Sequence, residues 1–90
     1  MTKKRTDDIT RMLSSAFAPT ELLVRDQSHL HAGHKGAEGG KGHFEVTVVS
    51  GVFEGCARIE RHRMVYDALG SLMESDIHAL RINAFLPSER

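Results

Sequence analysis

The residues best suited to chemistry in this chain of 90 residues are its six histidines. A neutral imidazole can ligate a metal ion or exchange a proton near neutral pH. His31 and His34 lie three residues apart in the glycine-rich run HLHAGHKGAEGGKG, so they are either accessible ligands or solvated loop side chains. His78 lies between Ile77 and Ala79, where it is either a ligand or a half-buried histidine beside a turn. Two histidines are an incomplete coordination shell, so a bound metal needs ligands from outside the chain.

The remaining histidines and the one cysteine favour less specific interpretations. His62 is predicted on the inner side of a helix, which indicates a packed structural role, and His29 is predicted to be exposed. His43 begins a predicted strand and is compatible with either role. Cys56 is the only cysteine, which excludes an internal disulfide framework and a metal site made of cysteines alone. It is either a small buried hydrophobe or, just before a helix, a reactive thiol.

Two common kinds of catalytic motif are absent from the sequence. The segment GAEGGKGH departs from a phosphate-binding loop, because Gly42 stands where the motif requires Ser or Thr after Gly40-Lys41. The serines and histidines are scattered, with no nucleophile elbow to support a catalytic triad. We therefore expect a protein that is not an enzyme.

Three arginines, Arg58, Arg61 and Arg63, form a basic cluster in a predicted helix. Such a cluster could contact nucleic-acid phosphates, or it could be a solvated helix face interrupted by Glu60 and Asp67. The formal net charge is zero and aromatic residues are few, which favours the solvated face. DNA binding is the alternative that this cluster keeps open.

Size and composition indicate one ordinary globular domain with a modest core. No apolar run approaches the ~20 residues of a membrane span, and MTKKRTDDIT lacks the apolar centre of a secretory signal. We therefore expect a cytoplasmic protein with no membrane partner, either a monomer or a weak homodimer when alone.

Helical and strand-like patterns alternate along the chain. Thr6 is a plausible N-cap for an amphipathic helix that Pro19 terminates. Apolar runs predict strands at 20–26, 43–49 and 77–85, and a helix is expected from 57 to 73, with Ile59 among its core residues. The domain is expected over 6–87, with flexible tails at 1–5 and 88–90 and a mobile loop at 27–42.

The order α-β-β-α-β defines an α+β fold with a three-stranded mixed sheet. The first two strands form a long-looped antiparallel hairpin. The last two are joined through a helix, so they are expected to be parallel with a right-handed crossover. Helices are expected on one face of the sheet, which leaves the other face relatively open.

Several segments together resemble the BolA family. They are DQSHLHAGH, GHFEV, VVSGVFEG, RHRMVYDAL and IHAL, and the likeness extends from about Ile9 to Pro87. The most specific feature is the combination of RHRMVY and IHAL at this separation. The resemblance implies a class II KH-like fold, which has the order of elements derived above.

The resemblance also implies a function in iron–sulfur cluster trafficking or in iron and redox regulation. Members of the family pair with monothiol glutaredoxins around a bridging [2Fe-2S] cluster, with a glutaredoxin cysteine and glutathione on one side and histidines of the BolA-like chain on the other. By position, His78 and His31 are the implied ligands, His34 is the reserve and His43 is a weaker candidate. No cluster is expected in the isolated chain.

Two competing hypotheses remain. Some BolA-like proteins are transcriptional regulators, which would use the helix around Arg58–Arg63 to bind DNA. A KH domain binds RNA through a GxxG loop between helices. Here the glycine pair Gly33 and Gly36 lies in the loop between strands, which argues against that mode of RNA binding. A third hypothesis is an interaction domain that binds partners without a cluster.

Overall fold

The computed structural model describes residues 2–27 and 42–90 as three strands with helices before and between them. The strands form one sheet in the order β1-β2-β3. The elements are α1 (Thr2–Phe17), β1 (Glu21–Asp26), β2 (Gly42–Val49), α2 (Arg58–Leu69), α3 (Leu72–Ser75) and β3 (Ile77–Phe85). The predicted α+β class is confirmed.

The pairing of the strands also agrees with the prediction. β1 and β2 are antiparallel, with Leu23 opposite Thr47, and β2 and β3 are parallel, with Val46 opposite Ile82. The parallel pair is joined through α2 and α3, as a crossover requires. β2 is therefore the central strand, while β1 and β3 are edge strands in the described part of the chain.

Helix α1 begins earlier than its sequence signal indicates. The predicted N-cap, Thr6, lies inside the helix, where its carbonyl accepts a hydrogen bond from the Thr10 hydroxyl at 2.8 Å. The helix continues back to Thr2 and includes most of the segment that was expected to be a flexible tail at 1–5. Arg5 fixes this first part of the helix by an ion pair with Asp76, at 3.3 Å, just before β3.

Helix α2 is shorter than predicted because Gly70 interrupts it. Gly70 has φ of +53°. Glycine adopts this backbone conformation at a lower free-energy cost than residues with a side chain. The chain leaves helix α2 after Leu69 and forms the short α3 from Leu72. Ile59, predicted to face the core, is 62% exposed, because the apolar face of α2 is set by Val65 and Leu69.

At the C-terminus, residues Pro87–Glu89 form a 3-10 turn where a tail was expected.

The core lies between the helices and one face of the sheet. Even-numbered residues of β2 point into it, and odd-numbered residues from His43 to Thr47 are only partly buried on the other face. The buried cluster consists of Ile9, Leu13, Phe17, Phe44, Val46, Val48, Phe53, Val65, Leu69, Ile77 and Ile82. We call the opposite side of the sheet the open face.

The turn after β2 connects the sheet to the end of α1. Ser50 is 1% exposed, and its hydroxyl donates to the carbonyl of Phe17 at 2.6 Å and accepts from the amide of Val52 at 3.2 Å. Phe53 fills the core beside Phe17, with ring centroids 5.1 Å apart. The segment VVSGVFEG therefore ends β2 and closes this end of the core.

Candidate functional site

His78 projects from an irregularity at the start of β3. Gly42 pairs with Ile77, but the next residue, His43, pairs with Ala79, so His78 is the extra residue of a β-bulge. Period-two alternation cannot place both Ile77 and Leu80 on the core side. The bulge resolves this conflict, because His78 and Ala79 are both exposed between two residues that pack on the core. Bulges of this kind re-aim side chains next to functional sites.

The bulge brings His78 against His43 on the neighbouring strand. The ring centroids are 5.1 Å apart and the rings are tilted by 52°. His43 is half-buried and its Nε2 atom is enclosed by the protein, whereas His78 is exposed. Of the two, His78 is the imidazole that an external group can reach, and His43 supports it from one side.

The two ends of the first loop are anchored beside this histidine pair. The amide of Gln27 donates to the carbonyl of His43 at 2.8 Å, and the amide of Gly42 donates to the carbonyl of Asp76 at 3.0 Å. The predicted ligands His31 and His34, and also His29, lie outside the described residues, as does the loop expected at 27–42 apart from its two ends.

The described residues supply two imidazoles here but no complete metal site. Across residues 2–27 and 42–90, no group of three or more His, Cys, Asp or Glu side chains could hold a metal ion. Two imidazoles on one tetrahedral ion have centroids about 5 Å apart, given metal–nitrogen bonds near 2 Å. The His43–His78 spacing falls near this value, but Nε2 of His43 is enclosed, so the pair offers one accessible imidazole, that of His78. Any further ligands must come from elsewhere.

A polar row that the sequence analysis missed crosses the open face near the histidines. Glu45 on β2 lies opposite Arg25 on β1 and opposite Arg81 on β3. Its carboxylate accepts hydrogen bonds from the side-chain amides of Gln27 at 3.4 Å and Asn83 at 3.2 Å. Both arginines are exposed and make no ion pair with any residue that the structure describes. In the sequence, the alternation of polar residues in the three strand segments could have indicated this row.

The basic cluster of α2 separates into one structural arginine and two exposed ones. Arg61 forms a two-point ion pair with Glu89, at 2.7 and 3.2 Å, and donates to the carbonyls of Cys56 and Ala84. Its side chain is only 13% exposed. Hydrogen bonding to Glu89 raises the pKa of Arg61, and the same contact lowers the pKa of Glu89. Arg58 and Arg63 remain exposed on α2.

The structure places the other candidate residues away from the histidine pair. His62 is half-buried and lines a small groove between α2 and β3, with a volume of about 160 Å³. Cys56 is also half-buried, and its sulfur lies 3.8 Å from that of Met64. Neither residue joins a site with His43 or His78. Within the described ranges, no helix is both long and apolar enough to cross a membrane.

Comparison with known proteins identifies the family to which this chain and its fold belong. The model of the BolA family, described as BolA-like protein, matches residues 13–89. The chain therefore belongs to the BolA-like family.

Two relatives from Arabidopsis thaliana resemble the chain in both sequence and structure. SufE-like protein 1, chloroplastic/mitochondrial, is 40% identical over 86 residues, which are 90% of this chain and 23% of that protein. Protein BOLA1, chloroplastic, is 38% identical over 90 residues, which are 97% of this chain and 56% of that protein. The chain thus spans a quarter to about half of the length of these two relatives. Because their names refer to organelles, the cytoplasmic expectation stays a prediction.

Solved structures agree with this assignment. The BolA domain of SufE1 from Arabidopsis thaliana has a TM-score of 0.85, at 40% identity, with 96% of this chain and 95% of that chain covered. BolA1 from Arabidopsis thaliana has a TM-score of 0.83, at 38% identity, with the same coverage.

A relative from Haemophilus influenzae is named DNA-binding transcriptional regulator BolA and is 32% identical over 81 residues, which are 90% of this chain and 76% of that protein.

Proposed function

We propose that this protein is a non-catalytic adaptor that binds a monothiol glutaredoxin and co-ligates a bridging [2Fe-2S] cluster. His78 is the fixed ligand from this chain, His31 is the second and His34 is the reserve. The glutaredoxin cysteine and glutathione complete the shell. The adaptor acts in iron–sulfur cluster trafficking or in iron and redox regulation.

The observation that carries the proposal is the exposed His78 on its bulge beside His43. A cluster shared between two proteins needs a ligand that projects from a rigid element, and β3 provides one. Histidine ligation on one side also raises the reduction potential of a [2Fe-2S] cluster above that of all-cysteine ligation. A ligating imidazole must be neutral, so acidification should release the cluster.

Chain connectivity supports a second ligand from the loop. His31 is four residues beyond Gln27, whose amide is bonded to His43. Four residues span at most about 14 Å when fully extended, and this reach is compatible with ligation of the shared cluster by His31. We expect His31→Ala to shorten the lifetime of the shared cluster and His34→Ala to leave it close to that of wild type. Equal lifetimes for wild type and His31→Ala would remove His31 from the ligand set.

Visible absorption and circular dichroism of the mixed complex test the proposal. Cluster-loaded monothiol glutaredoxin is mixed with wild type, His78→Ala or the control His62→Ala, which removes a histidine in a separate groove. We expect a new, stable spectrum with wild type and with the control, and loss of it with His78→Ala. His78→Cys should restore a cluster with a shifted spectrum, because thiolate also ligates iron. One spectrum for all four proteins would contradict ligation by His78.

DNA binding is a second candidate function, favoured by the name of the Haemophilus relative and by the exposed Arg58 and Arg63. Arg61 is committed to Glu89, so the testable pair is Arg58 and Arg63. The double change Arg58→Ala and Arg63→Ala should weaken DNA binding and reduce the salt slope of log K by about two if each residue contacts one phosphate. Fluorescence anisotropy at several salt concentrations measures both. An unchanged slope excludes α2 as the DNA contact.

A further inference from the structure

The outer edge of β1 is unpaired among the residues that the structure describes, where β1 pairs only with β2. The amide of Gln27 bonds to the carbonyl of His43, its register partner. Bonded pairs alternate in an antiparallel ladder, so Glu21, Leu23 and Arg25 bond inward to β2. The backbone N–H and C=O groups of Leu22 and Val24 consequently face outward. An edge of this kind is a template for another strand.

The side chains on this edge are arranged symmetrically about Leu23. Glu21, Leu23 and Arg25 all project from the open face, and all three are exposed. Leu23 is 47% exposed and has an acidic residue two positions before it and a basic residue two positions after it. Arg25 makes no ion pair with any described residue, and Glu21 has only a loose pair with Arg90 at 3.5 Å.

We propose that β1 binds a second copy of this chain through antiparallel strand pairing, with a two-fold axis at Leu23. The two Leu23 side chains then face each other. Glu21 of each copy lies opposite Arg25 of the other, which creates two ion pairs. On the helix side of the sheet, Leu22 of each copy lies opposite Val24 of the other and extends the apolar layer.

The charges select this register over its neighbours. A two-fold axis at Glu21 or at Arg25 would place like charges directly opposite each other, which is destabilising in a sheet. An axis at Leu22 or at Val24 would place a charge opposite Leu23. Only the axis at Leu23 places Leu23 opposite Leu23 and each Glu21 opposite an Arg25. An isologous interface joins two identical surfaces, so both copies make these same contacts.

The shape of the surface is compatible with this arrangement. A shallow groove of about 520 Å³ lies along β1 and includes Leu23, Arg25 and Thr47 in its walls. The groove lies over β1 and β2 beside this edge, so Leu23 and Arg25 are accessible from the open face. A two-fold axis perpendicular to the sheet keeps the helices of both copies on one side. The dimer is thus a six-stranded sheet with β3 and His78 at each outer edge, away from the contact.

Cysteine cross-linking tests both the contact and its register. In a Cys56→Ser background, Leu23→Cys places two thiols at a pair whose Cα atoms are about 4.5 Å apart, close enough for a disulfide. The control Arg25→Cys lies on the same strand and face, but the proposed register separates the Cα atoms of its two copies by about 14 Å. We expect disulfide-linked dimers for Leu23→Cys only. Absence of this dimer, or cross-linking through Arg25→Cys instead, overturns the proposal.

Sedimentation equilibrium tests the ion pairs in the absence of a cross-link. Glu21→Arg alone and Arg25→Glu alone each oppose like charges, and we expect each to raise the dimer dissociation constant by about tenfold. The double variant exchanges the two charges and should recover wild-type dimerisation. Circular dichroism confirms that each variant is folded. A wild type that stays monomeric at about millimolar concentration, or a double variant as weak as the singles, contradicts the pairing.

Discussion

At the level of single residues, the sequence indicated His78 as a candidate ligand but did not indicate the geometry that exposes it. The motif IHAL places apolar residues three positions apart, which an uninterrupted strand cannot direct to one face. The sequence analysis predicted one uninterrupted strand at 77–85, and the bulge is seen only in the pairing of Gly42 with Ile77 and of His43 with Ala79. The contact between His43 and His78 could not be predicted, because it depends on the register of two strands that are distant in sequence.

Ser50 shows why a polar residue in a family motif need not be a functional one. It is buried, and its hydroxyl makes two hydrogen bonds that connect the end of α1 to the turn after β2. We expect Ser50→Ala to lower the free energy of unfolding by about 1–3 kcal/mol, because it removes both hydrogen bonds and leaves the buried carbonyl of Phe17 without this partner. Urea denaturation followed by circular dichroism measures the change. Exposed Ser15→Ala is the control, expected within about 0.5 kcal/mol of wild type; equal stability of the two variants contradicts this role for Ser50.

At the level of elements, the strands were more predictable than the helices. The apolar runs that predicted β1, β2 and β3 end within one residue of the observed strands. Helix α1 begins four residues before its expected N-cap, because an ion pair between Arg5 and Asp76 extends its packing beyond the local signal. Helix α2 ends at Gly70, whose effect the propensity argument treated as a small local cost.

The C-terminal turn is connected to α2 by the Arg61–Glu89 ion pair, which has a predictable effect on acid stability. Arg61 holds the pKa of Glu89 below its ordinary value of 4.5. A lowered pKa in the folded state stabilises the fold above the unfolded-state pKa, and this contribution is lost as pH falls through the folded-state value. We therefore expect Glu89→Gln to have a lower melting temperature than wild type at neutral pH, with the difference shrinking as the pH falls below 4.5.

Thermal unfolding at a series of pH values measures this difference. Glu74→Gln is a matched control, since Glu74 is an exposed carboxylate of α3. The control should follow wild type at every pH. A difference for Glu89→Gln that persists unchanged at low pH would show that the ion pair is not its cause.

At the level of the whole molecule, the sheet separates the packed core from the polar side chains of the open face. One face packs on the helices, and the open face carries the polar row of Arg25, Glu45 and Arg81. The histidine pair lies toward β3, whereas the proposed self-pairing edge is β1, two strands away. A dimer could therefore present two cluster-binding sites at once. The sequence predicted this layering, because alternation in β2 and β3 divides their residues between two faces.

The most direct test of cluster ligation is pulsed EPR of the reduced [2Fe-2S] cluster in the mixed complex. Only this chain carries ¹⁵N-labelled histidine, and the monothiol glutaredoxin is unlabelled. We expect a ¹⁵N hyperfine coupling from a ligating imidazole in wild type and no ¹⁵N coupling with His78→Ala, because this variant should not hold the shared cluster. The His62→Ala control should keep the wild-type coupling. A cluster spectrum without any ¹⁵N coupling in the wild-type complex would contradict histidine ligation by this protein.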